Sequence, residues 1–137
     1  MSLFASFQRR ALYGLLAAGF TAGVAAADDR TIIVLDASGS MWGQIDGKSK
    51  IEIAREALFG VVGKLDTSSS VGLMAYGHRV KGECTDIELI VEPRPGSTQA
   101  INSAVQNIKP KGKTPLTDAV RQAAESRSTA RTRQPSS

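Results

Sequence analysis

The chain has 137 residues and a formal net charge of +4, a length that fits one small domain and excludes a multidomain assembly within it. The positive charge belongs to the ends. Residues 28–126 hold 12 Lys and Arg against 13 Asp and Glu, and no basic stripe with interleaved aromatics is present, so the composition argues against nucleic acid as a partner.

The first predicted element is a secretory signal over residues 1–27. Arg9 and Arg10 precede an apolar stretch from Ala11 to Val24, and Ala25-x-Ala27 has the small residues of a cleavage site. That stretch is short for a membrane span, so cleavage before Asp28 is expected, with export to the periplasm or beyond and no membrane attachment afterwards. Thr31 to Leu35 follows as a buried strand. A helix is predicted from Lys50 to about Lys64, with Ile51, Ala54, Leu58, Val61, Val62 and Leu65 at helical spacing. Val71–Tyr76 and Ile87–Val91 read as strands joined by a turn from Gly77 to Asp86. Two helices complete the set, one from Ser97 or Thr98 through Ile108 and one over Leu116–Glu125. This order predicts an α/β fold: an open, mostly parallel, doubly wound sheet with helices on both faces.

Behind the first strand stands Asp36-Ala37-Ser38-Gly39-Ser40. In extended chain, alternate residues point to one side, and Gly39 lets the segment curl, so a carboxylate and two hydroxyls converge. Mg²⁺ takes about six oxygens at 2.0–2.1 Å, and one carboxylate with neutral hydroxyls leaves it a net positive charge. Such an ion accepts a further carboxylate from another molecule. The competing reading is an ordinary turn or helix cap.

These residues resemble the metal-ion-dependent adhesion site of the von Willebrand factor type A domain, which carries Asp-x-Ser-x-Ser after its first strand. The family's next ligand is a Thr in a later loop, and Gly112-Lys113-Thr114-Pro115-Leu116-Thr117-Asp118-Ala119 is similar to that loop, with Thr114 at the ligand position. The resemblance implies a metal set of Asp36, Ser38, Ser40 and Thr114 holding Mg²⁺, or Mn²⁺ or Ca²⁺, and a non-enzymatic adhesion module of the cell envelope. Its implied partner is a protein offering an acidic residue. The family's final Asp, in a Thr-Asp-Gly turn, and the strand that flanks the first strand have no counterpart here. Residues 28–126 are therefore expected to be the N-terminal part of the domain, lacking its last strands, with metal binding weak or absent in this chain.

Residues 127–137 contain no apolar residue larger than Ala, and are read as non-native sequence from a frameshift near Ser126 or as a disordered tail. Cys84 is the sole cysteine. Some exported members of the resembled family carry a Cys just after the missing turn, which implies a disulfide to a partner outside this chain; a buried free thiol is the alternative. Met41 and Trp42 read as an apolar rim beside the metal or as packing against the first helix. Asp46 is expected to turn its loop.

Enzyme readings fail residue by residue. A P-loop needs Gly five positions before Gly112, where Asn107 stands. A haloacid-dehalogenase-type phosphatase needs Asp at Ser38, and the Ser38 surroundings are not a nucleophile elbow. His78, the only histidine, is expected to hydrogen-bond within its loop. A metal-assisted hydrolase and a metal-free structural domain remain the alternatives to the adhesion module.

Overall fold

The computed structural model describes residues 30–132. The predicted signal, residues 1–27, lies outside them. Strand β1 (Arg30–Asp36) leads through a short 3-10 turn at Gly39–Trp42 into a two-strand hairpin, β2 (Gln44–Ile45) and β3 (Lys48–Ser49). Helix α1 (Lys50–Val62) follows, then β4 (Ser70–Tyr76), β5 (Ile87–Arg94), α2 (Thr98–Asn107) and α3 (Leu116–Thr132).

The main sheet has the order β1-β4-β5. Every residue of β4 from Val71 to Tyr76 is buried, which is why this strand reads as an unbroken apolar run rather than an alternating one. β1 runs parallel to β4, in register from Arg30 opposite Ser70 to Asp36 opposite Tyr76, because α1 carries the chain back between them. β5 is antiparallel to β4. The pairing is thus mixed rather than mostly parallel, since the segment between Tyr76 and Ile87 is too short for the crossover that a parallel pair requires. Among the described residues β1 forms one edge of the sheet.

Two layers cover the sheet. Leu35, Leu73, Ala75 and Val91 pack with Ile51 and Val62 of α1 and Ile101 and Val105 of α2 in one cluster. Met74 and Tyr76 alternate with Leu73 and Ala75 along β4, so they face the opposite side, where α3 lies against β1 and β4. A capping box starts α1: the Glu52 carboxylate accepts the Ser49 N–H at 2.9 Å.

Helix α3 runs to Thr132, beyond the expected end at Glu125 and into the segment read as a tail. Hydroxyls there bond back one turn, Ser128 to the Ala124 carbonyl and Thr129 to that of Glu125, a local pattern that helices tolerate. From Arg127 to Thr129 the side chains are exposed.

Candidate functional site

The carboxyl ends of β1 and β4 and the loop before α3 meet at one place, the end of an open α/β sheet where ligands gather. After β1 the chain stays extended through Ser38, whose N–H donates to the Asp36 Oδ1 at 2.8 Å, and turns in the 3-10 segment Gly39–Trp42. The hydroxyls of Ser38 and Ser40 stand 3.0 Å apart. Two cis ligands of an octahedral ion with bonds of about 2.0–2.1 Å stand about 2.9–3.0 Å apart, so the spacing of this donor pair fits Mg²⁺. Ser38 is buried and Ser40 exposed, which leaves the cluster open to solvent on one side.

The loop that carries Thr114 is stitched to this turn through its backbone. Gly39 N–H donates to Gly112 O at 2.9 Å, Lys111 N–H lies within reach of Ala37 O and Gly77 O at 3.1 and 2.9 Å, and Gly112 N–H donates to Gly77 O at 2.8 Å. Gly77, at φ 70°, leaves no space for a side chain: a Cβ there would stand 2.7 Å from Lys113 O and 3.0 Å from Ser38 Cα. Three segments therefore touch backbone to backbone, and Thr114 follows directly on one of them. Asp36, Ser38 and Ser40 are linked by direct hydrogen bonds; Thr114 is exposed, two residues after Gly112, whose carbonyl accepts the Gly39 N–H.

Tyr76, opposite Asp36 in the sheet, has its hydroxyl pKa pushed up to about 12 by burial, by the Asp36 charge and by a hydrogen bond to that carboxylate. It is a neutral donor at any physiological pH and steadies the Asp36 carboxylate. The loop after β4 is locked by Asp86. Its carboxylate accepts the Arg79 and Val80 N–H groups at 2.7 and 2.9 Å and the Arg79 Nε at 2.7 Å. Burial works to raise the Asp86 carboxyl, but these donors outweigh it and hold the group at about 2. His78 Nε2 lies 2.9 Å from Glu88 Oε2, so its partner stands on β5 rather than within its own loop.

Trp42 departs from the packing alternative. It is 54% exposed, and its indole N–H is fixed to Pro110 O at 2.9 Å, while Met41 is half-buried and packs on the core. Cys84 is exposed, which removes the buried-thiol alternative. Asp46, at φ 51°, and Gly47, at φ 82°, form the turn of the hairpin, as expected for Asp46. Sequence reasoning missed the Trp42 anchor, which joins residues 68 positions apart, and the Asp86 lock, which lies within the predicted Gly77–Asp86 turn but has no motif to signal it. The described residues hold no group of three or more His, Cys, Asp or Glu placed to bind a metal, and no helix long and apolar enough to cross a membrane.

Comparison with known proteins agrees with this architecture. The chain is 27% identical over 101 residues to the uncharacterized protein YwmD of Bacillus subtilis (strain 168), covering 69% of this chain and 45% of that protein. It therefore spans less than half of that relative's length. In fold it is similar to the PilB minor pilin of Streptococcus sanguinis, with a TM-score of 0.51 at 19% identity over 77% of this chain and 26% of the pilin. A single-site mutant of the same pilin gives 0.54 at 20% identity, over 83% of this chain and 29% of that one. The model of the von Willebrand factor type A domain matches residues 31–137. With that match over most of its length, the chain belongs to the von Willebrand factor type A domain family, whose modules are generally non-enzymatic, serve protein interaction and often bind a divalent metal.

Proposed function

We propose that this chain is the divalent-cation-dependent binding part of an exported adhesion-type module, in which Asp36, Ser38, Ser40 and Thr114 supply four ligands to Mg²⁺, weakly held without the family's final Asp, and the ion takes a carboxylate from a protein partner. The observation that carries the reading is the 3.0 Å spacing of the Ser38 and Ser40 hydroxyls beside Asp36, with the Thr114 loop bonded to the same turn. One carboxylate among neutral oxygens leaves the ion positive, which favours an acidic group as its next ligand. The chain's own residues position that group and keep Asp36 oriented, through Tyr76 and the Ser38 N–H. The minor-pilin neighbours are compatible with an adhesion role. The Ala25-x-Ala27 pattern supports export.

The test is thermal unfolding of the full chain with Mg²⁺ and with EDTA. A ligand at a hundredfold excess over its Kd stabilises the folded state by about 2.7 kcal/mol, so Tm rises by several degrees. Asp36→Ala removes this response. An equal Mg²⁺ response in the variant refutes the metal site, and no response in the native chain supports the metal-free domain instead.

A further inference from the structure

Four of the large apolar side chains on the surface sit on the segments that build the site. Trp42 and Ile45, 54% and 50% exposed, lie two and five residues after Ser40; Leu116, 53% exposed, lies two after Thr114; Val80, 49% exposed, follows Gly77 in the loop that Lys111 and Gly112 are bonded to. Three of the four are held in place, while Leu116 opens helix α3. The Trp42 indole is tethered to Pro110 O, Ile45 stands in a hairpin closed on α1 by the Lys50 N–H bond to Gly43 O, and the Val80 backbone is held by Asp86. A folding requirement would bury such side chains or replace them with polar ones. Large apolar side chains held exposed on the segments that carry a polar centre, Trp42 among them, suit a binding surface.

Charge identifies the occupant. Lys50, Lys111 and Lys113 are exposed on the same segments, and the Lys50 ammonium reaches across Gly43, 3.8 Å from where a Cβ on that glycine would lie. Lys48, by contrast, is spent on Glu56 at 2.6 Å. A surface that is apolar and cationic together complements a segment that is apolar and acidic. We propose that Trp42, Ile45, Val80 and Leu116 form a selective rim that recognises an acidic peptide segment whose carboxylate residue is flanked by a large apolar side chain. This rests on the proposed metal reading for the carboxylate, while the rim contributes the choice among acidic partners.

Trp42 is the chain's single tryptophan, so its emission reports occupancy of the rim directly. Two acetylated peptides, each with a central Asp-Glu pair, one flanked by Leu and the other by Ser, are titrated into the full chain with Mg²⁺. The Leu peptide shifts Trp42 emission to shorter wavelength and binds at least about tenfold more tightly than the Ser peptide. Ile45→Ser and Val80→Ser shrink that preference while the Mg²⁺ thermal shift stays. Trp42→Ala, followed by anisotropy of a labelled peptide, shrinks it as well. Equal binding of the two peptides with unchanged Trp42 emission overturns the proposal. Where Mg²⁺ gives no thermal shift, the metal reading has failed separately, and the same titration in EDTA decides the rim: a retained Leu preference upholds it and its loss overturns it.

Discussion

Asp86 is buried beneath the loop after β4 yet keeps a low carboxyl pKa, about 2, because three donors from Arg79 and Val80 converge on it. Through its backbone Asp86 also holds Gly77, whose N–H donates to Asp86 O and which packs against Ser38 of the candidate metal centre. Its folded pKa is depressed below the usual 3.8, so the stability it contributes is fully present above about pH 4 and is lost as pH falls through about 2. Arg79 is about half exposed, 47%, and solvent screening reduces the value of the pair to about 1 kcal/mol. Asp86→Asn, which keeps the shape but loses the charge and one acceptor, lowers the urea midpoint near neutral pH. The gap between variant and native chain then closes towards about pH 2. A gap independent of pH would show that packing, and not the charge, is what Asp86 supplies.

At the scale of elements, the site depends on three backbone segments approaching closely enough that side chains are excluded. A Cβ on Gly77 would meet Lys113 O at 2.7 Å, and one on Gly112 would meet Val80 O at 2.7 Å, both backbone atoms that cannot rotate away. Gly77→Ala also carries the cost of φ 70°. Each substitution is expected to cost about 1–3 kcal/mol, lowering Tm by at least about 5 °C, and to weaken Mg²⁺ binding beyond its effect on stability. Isothermal titration of Mg²⁺ below the variant's Tm separates the two effects; an unchanged Mg²⁺ affinity would mean that the Thr114 loop is not held by these contacts. The elements themselves were largely legible in the sequence. Thr31–Leu35, Val71–Tyr76 and the stripe of α1 announce themselves by apolar run or by period, and Asp46-Gly47 announces its turn. What was not legible is pairing. The antiparallel direction of β5 follows from a connection length that the strand pattern does not weigh. The hairpin strands are too short to have a period. Trp42 meets Pro110 across 68 positions with nothing local to signal it. The carboxylate and hydroxyls of the site were readable because their spacing is local, whereas Tyr76, which bonds the Asp36 carboxylate, comes from the neighbouring strand β4.

Over the whole molecule, the two layers on the sheet are unequal. One side is filled by Ile51, Val62, Ile101 and Val105 from α1 and α2, whereas among the described residues the buried side chains that α3 contributes on the other side are Ala119 and Ala123. Apolar burial scales with area, so two alanines anchor a helix far more weakly than four branched side chains. Local opening draws on this difference: α3 is expected to exchange its amide hydrogens well before α1 and β4. Thr114 stands just ahead of α3 on the loop bonded to Ala37 and Gly39. A metal that takes Thr114 as a ligand therefore ties the weakly held layer to the end of β1, and binding energy available only to the closed state appears as protection of α3. Hydrogen exchange followed by mass spectrometry over residues 116–129 should slow on adding Mg²⁺ to the native chain and stay unchanged in Asp36→Ala. Slowing in α1 and α2 but not in α3 would place the ion on the β1 turn alone, without Thr114. Equal protection of α3 and α1 in EDTA would show that α3 needs no such tie.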